Sequence, residues 1–141
     1  MKKSFSTTKY WLPALLLIIC CNTAIAQKGK AYEITVRGVK VIVQPSDNQI
    51  VEIQTIIKGG VQNYAADKQG IESLAMTALT ECGTANDSKN TFKDKLDKVS
   101  AQIYANAAKD YSTISMNCIN TDFAAVWPLY ADAVVQPLFD E

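Results

Sequence analysis

Ser73, Met76 and Thr77 have the spacing of a helical metal site, at positions i, i+3 and i+4. Side chains at i and i+4 lie on one face of a helix, so two imidazoles there reach the same zinc ion, and a carboxylate at i+3 acts as base. Hydroxyl groups are poor zinc ligands, and a thioether cannot act as a general base. The chain also contains no His. We therefore predict no metal-binding and no catalytic residue at these positions.

The segment from Gly70 to Thr84 is predicted to be the helix that carries these positions. Its apolar residues recur with a helical period and form one stripe: Ile71, Leu74, Ala75, Ala78, Leu79 and Cys82. The opposite side carries Ser73, Met76, Thr77 and Thr80. We expect the apolar stripe to be buried, the second side to face solvent, and the helix to end at Gly83.

The rest of the chain predicts a mixture of strands and helices. Strands are expected at residues 32–43, with a turn at Gly38, and at 50–57, 104–108 and 111–119. A second helix is expected to begin at the cap Thr91, with a buried seam of Phe92, Leu96, Val99 and Ile103. A third should begin at Thr121 or Asp122. The order ββααββα predicts a two-layer α+β domain, an antiparallel sheet covered by helices.

Five segments resemble, in order, the N-terminal part of the insulinase/pitrilysin family of inverted-zincin peptidases, which includes the mitochondrial processing peptidase subunits. They are RGVKVIVQP at 37–45, IIKGG at 56–60, the 70–84 helix frame, NAAKDYS at 106–112 and PLFDE at 137–141. The helix frame is similar to the family signature G-L-A-H-x-x-E-H-x-x-F-x-G-T, with one extra residue near Cys82. Ser73, Met76 and Thr77 stand where the signature has His, Glu and His.

This resemblance implies the fold of a metallopeptidase N-terminal domain. Active members use zinc as cofactor, whereas the replaced motif implies no cofactor here. The family's third zinc ligand is a Glu beyond the P-L-F-x-E stretch, where this chain stops. Because the family domain is longer and normally occurs twice per chain, we expect residues 27–141 to be a partial, truncated domain.

Residues 1–26 are predicted to be a secretory signal peptide. Three Lys precede a short apolar run, and Ala24-Ile25-Ala26 forms a small-x-small cleavage site. The run is shorter than the roughly 20 residues that span a membrane, so no stable span is expected after cleavage. Removing the three leader lysines leaves 11 basic residues against 14 acidic ones, a net charge of about −3. We expect export to the periplasm or cell envelope, and no nucleic-acid partner.

Two cysteines remain after the leader, Cys82 and Cys118. In an oxidising compartment they could form a disulfide, or both could be small buried apolar residues. Both are expected to point toward the same core. The sequence leaves these two alternatives open, because it does not give the distance between the two Cα atoms.

Three functions are compatible with these features. The first is a non-catalytic insulinase-family homologue that binds peptide substrate, or forms part of a substrate chamber, beside an active peptidase subunit of the same family. The second is a zinc-dependent metalloendopeptidase whose active site lies in a segment absent here. The third is a fragment without a function of its own. The missing ligands favour the first, in which the chain is not itself an enzyme.

Overall fold

The computed structural model of the chain describes residues 29–139 and divides the chain into two compact units, 1–47 and 48–141. The predicted signal peptide lies outside the described residues. Within residues 29–139, no helix has the length and apolar character needed to cross a membrane.

The first unit contains a β-hairpin made of β1 (Tyr32–Val36) and β2 (Val39–Val43). Its two-residue turn has positive φ at both Arg37 and Gly38, 49° and 85°, which matches the right-handed twist of the flanking strands. The strand register places six apolar side chains on one face: Tyr32, Ile34, Val36, Val39, Val41 and Val43. The strands and the turn are as predicted. Much of this face remains accessible, since Ile34 is 44% and Val39 64% exposed.

The second unit contains an antiparallel sheet of β3 (Ile50–Lys58), β4 (Gln102–Ala107) and β5 (Tyr111–Ile119). The strand order is β3-β5-β4, so β5 is central and the other two are edges. The register aligns Ile53, Met116 and Ile103 in one row across the three strands. Side chains alternate along a strand, so this row and every second row from it lie on one face of the sheet, which is apolar. The rows between them form the other face, called the mixed face because it carries both polar and apolar side chains.

Three α-helices of the described residues accompany the sheet: α1 (Ile71–Glu81), α2 (Lys89–Asp97) and α3 (Phe123–Val135). Single 3₁₀ turns lie at Val61–Asn63, Ala66–Lys68 and Asn120–Asp122. Of the three strands, α1 packs mainly against β4, and α3 packs against β5. Ile114, Met116 and Val126 have no exposed surface. The α+β expectation, an antiparallel sheet covered by helices, is therefore confirmed.

Two details near α2 differ from the sequence-based expectation. The helix is capped by Ser88 and not by Thr91, because the Ser88 hydroxyl accepts a hydrogen bond from the Thr91 backbone N–H. Ile103 is not part of the helical seam. Ser100 has a φ of 51°, which turns the chain away after the helix, so Ile103 lies on β4. Phe92 and Leu96 are buried as predicted.

Two ion pairs attach α2 to its surroundings. Lys95 Nζ lies 2.6 Å from Oδ2 of Asp87, a carboxylate that is only 8% exposed. Lys93 pairs with Glu81 near the end of α1. Lys93 and Lys95, two charged residues of α2, thus help to hold the helix in place.

Tyr130 of α3 forms a hydrogen-bond network with two strands. Its hydroxyl donates to the Ile114 backbone oxygen at 2.9 Å. The Thr55 hydroxyl lies 2.6 Å from the same Tyr130 oxygen. Since the Tyr130 proton is directed to Ile114, Thr55 is the donor in the second bond. One side chain therefore joins α3 to the central strand and to the β3 edge.

We expect Tyr130→Phe to lower the free energy of unfolding by about 1–2 kcal/mol, because it removes the second hydrogen bond to the Ile114 carbonyl and the acceptor of the Thr55 hydroxyl. Urea unfolding monitored by circular dichroism measures the change. Tyr104→Phe is the matched control. Tyr104 is 46% exposed and its hydroxyl makes no hydrogen bond within residues 29–139, so its loss should cost less than about 0.5 kcal/mol. Equal losses in the two variants would contradict this role of Tyr130.

Candidate functional site

The orientation of α1 decides what the Ser73, Met76 and Thr77 positions can do. Leu79 is 6% exposed, and Met76 packs against the hydrophobic core. Ile71 and Leu74, which were expected to be buried, are 52% and 70% exposed. The prediction is therefore wrong for Ile71, Leu74 and Met76, whereas Leu79 is buried and Ser73 and Thr77 are exposed as predicted. Apolar residues occur on both sides of this helix, so their period alone does not determine which side meets the sheet.

A polar contact accompanies the orientation that the helix adopts. Glu72, Met76 and Leu79 follow a spacing of i, i+4 and i+7, which makes them one line along the helix. At the start of this line, the hydroxyl of Ser112 donates to Glu72 Oε1 at 2.5 Å. Ser112 is 1% exposed on β5. The Glu72 carboxylate therefore bonds to the sheet while Met76 and Leu79 cover the core.

Ser73 and Thr77 lie on the exposed side of α1. The Thr77 hydroxyl donates to the Ser73 backbone oxygen at 3.0 Å, and the Thr80 hydroxyl donates to the Thr77 backbone oxygen at 3.2 Å. Such bonds to the preceding turn are an ordinary use of hydroxyl groups within a helix. The three motif positions consequently do not share one solvent-facing surface, because Met76 is turned toward the core.

These residues do not fit a zinc ion. Two neutral hydroxyls and a thioether offer neither the charge nor the basicity of the usual ligands and base. Among the described residues, no group of three or more His, Cys, Asp or Glu side chains is placed to hold a metal ion. No catalytic step through a metal can be built from this surface.

The edge of β4 offers a different kind of interaction beside α1. The Ala108 N–H donates to the Tyr111 oxygen, so the even-numbered residues of β4 bond to β5. The N–H and C=O groups of Ile103, Ala105 and Ala107 consequently face away from β5. No strand of the described residues pairs with them. An extended peptide can bind to an edge of this kind through its own backbone.

Cys82 and Cys118 are both free thiols in the structure. Cys118 lies on the covered face of β5 and is 4% exposed, whereas Cys82 is half-buried at the end of α1. Burial raises the pKa of the Cys118 thiol, and the nearby Asp122 carboxylate raises it further. A raised pKa reduces the thiolate fraction, which gives Cys118 low nucleophilicity.

Comparison with solved structures identifies similar folds. A protease from Helicobacter pylori superposes with a TM-score of 0.69 at 18% sequence identity. A peptidase M16 inactive domain from Pseudomonas fluorescens also superposes with a TM-score of 0.69, at 19% identity. The fold is M16-like. Each match covers 79% of this chain but 27% of the other chain, so this chain spans about a quarter of the length of these two structures.

The sequence alone gives no comparable match. No protein-family model matches it, and a search of curated proteins finds no match either. The likeness to M16 structures is therefore a likeness of fold, which agrees with the fold expected from the five resembling segments.

We expect Met76→Glu to lower the free energy of unfolding by about 2–4 kcal/mol, because the carboxylate would face the apolar core. Leu74→Glu is the matched control. Leu74 belongs to the same helix but is 70% exposed, so the same new side chain should change stability by less than about 0.5 kcal/mol. Chemical unfolding of both variants measures the difference. The reverse order of stabilities would show that the orientation of α1 is wrong.

Proposed function

We propose that this chain is a non-catalytic M16-like protein that acts by binding, as a substrate-binding or chamber-forming partner of an active zinc peptidase. One observation carries the proposal. The helix at the position of the family's metal motif has hydroxyls on its exposed side and packs the half-buried Met76 against the core. A helix arranged in this way can form part of the wall of a substrate chamber, but it cannot supply ligands for zinc.

The edge of β4 supports binding to an extended peptide. Its outward N–H and C=O groups lie on the strand against which α1 packs, and α1 presents Ser73 and Thr77 to solvent. Backbone pairing provides affinity without requiring a particular sequence, and neighbouring side chains provide selectivity. A non-catalytic surface with these features suits a protein that holds peptides for another subunit to cleave.

Export to the cell envelope is part of this proposal. It rests on the basic start, the short apolar run and the Ala24-Ile25-Ala26 cleavage site of the leader. The M16 inactive domain among the structural neighbours is consistent with a non-catalytic role. The proposal therefore places this chain beside an active M16 peptidase of the same cell envelope.

Metal analysis and peptide hydrolysis test the proposal together. The purified chain should contain far less than one zinc per chain after dialysis and should not hydrolyse unstructured peptides. Mixed with an active M16 peptidase from the same cell, it should raise the rate of hydrolysis above that of the peptidase alone. Ser73→Lys/Thr77→Lys should reduce this stimulation, because it alters the exposed side of α1, whereas Asn90→Lys on the exposed start of α2 should not.

Two results would contradict the proposal. About one zinc per chain, or hydrolysis by the chain alone, would show that it is itself a metallopeptidase. Unchanged hydrolysis on mixing, with no complex formed, would show that it is not a partner of that peptidase.

A further inference from the structure

The outer edge of β3 is the longest unpaired strand edge among the described residues. The Gly59 N–H donates to the Asp110 oxygen at 3.2 Å, and the Asn120 N–H donates to the Gln49 oxygen at 2.7 Å. Odd-numbered residues of this strand therefore bond to β5. The N–H and C=O groups of the even-numbered residues point away from the sheet: Ile50, Glu52, Gln54, Ile56 and Lys58.

This edge lacks most of the features that protect edges from pairing. The sequence of β3 is IVEIQTIIK, with five Ile or Val residues and neither Pro nor Gly. Ile56 is 61% exposed on the mixed face of the sheet. Ile57 lies on the helix-covered face, opposite Ser112, but remains 42% exposed. A long apolar edge of this kind is a template for pairing with another strand.

We propose that β3 pairs antiparallel with β3 of a second copy of this chain, about a twofold axis at Thr55. Hydrogen-bonded pairs must join outward-facing residues on both strands, which are the even-numbered ones. An axis at Thr55 meets this condition. It places Glu52 opposite Lys58 of the second copy, twice by symmetry, and Gln54 opposite Ile56 of the second copy.

Charge complementarity selects this register. Glu52 and Lys58 are exposed and take part in no ion pair within residues 29–139. An axis at Gln54 would pair all nine residues but would set Glu52 opposite Ile56 and Lys58 opposite Ile50, leaving both charges without a partner. Opposite charges on directly facing residues stabilise a strand pair, and like charges destabilise it.

The covered face of the sheet favours the same register. With the axis at Thr55, Ile53 of one copy lies opposite Ile57 of the second copy. Ile53 already packs against the core, so the pairing extends that apolar surface to the exposed Ile57. The result is a continuous six-stranded sheet with β3 of both copies at its centre. This inference does not depend on the proposed function, because it requires no peptidase and no peptide ligand.

Sedimentation velocity of the purified chain over about 1–100 µM tests the proposal, since a small interface of this kind gives at best moderate affinity. The chain should be a dimer at the upper end of this range. Lys58→Glu should raise the dimer dissociation constant on the order of tenfold or more, because it turns two attractive pairs into repulsive ones. Glu52→Lys should do the same.

The combined variant Glu52→Lys/Lys58→Glu exchanges the charges and should restore the dimer. Lys98→Glu, an exposed substitution at the end of α2, should leave the dimer unchanged. Circular dichroism confirms that each variant is folded. A chain that stays monomeric at 100 µM, that pairs only with a different protein, or whose charge exchange does not restore the dimer would overturn the proposal.

Discussion

The packing of α1 and α3 on one face of the β3-β5-β4 sheet is the interaction on which the rest of this structure depends. The Ser112 hydroxyl bonds to Glu72 at the start of α1, and Met76 and Leu79 continue the same line into the core. From α3, Tyr130 bonds to the backbone of β5 and to Thr55. Within residues 48–139, the outer edges of β3 and β4 have no strand partner.

The orientation of α1 also determines the chemistry. On an isolated helix, residues 73, 76 and 77 could project together from one surface. Once Met76 is directed to the core, only Ser73 and Thr77 stay on the exposed side. The absence of His from the whole sequence and the geometry of this helix indicate independently that residues 73, 76 and 77 do not form a zinc site. A binding role is consistent with both, whereas metal-dependent hydrolysis by this surface is consistent with neither.

Local signals predicted much of the fold. Gly38 marks the hairpin turn and Gly83, with a φ of 88°, ends α1; both positions favour Gly because of their backbone conformation. The burial of Leu79 was predictable, but the rotation of the start of α1 was not, because Ile71 and Leu74 compete with Met76 for the core. The adopted orientation includes a bond between Glu72 and Ser112, residues that are 40 positions apart and whose contact the local sequence pattern does not indicate. Free strand edges likewise become evident only when the strand order is known.

Methyl nuclear Overhauser spectroscopy on selectively labelled protein tests the orientation of α1 most directly. The ε-methyl group of Met76 should show cross-peaks to methyl groups of the core on β4 and β5, and the methyl groups of Leu74 should show none. Cross-peaks from Leu74 to the core, with Met76 showing none, would contradict the account. Such a result would show that residues 73, 76 and 77 lie on a common exposed surface.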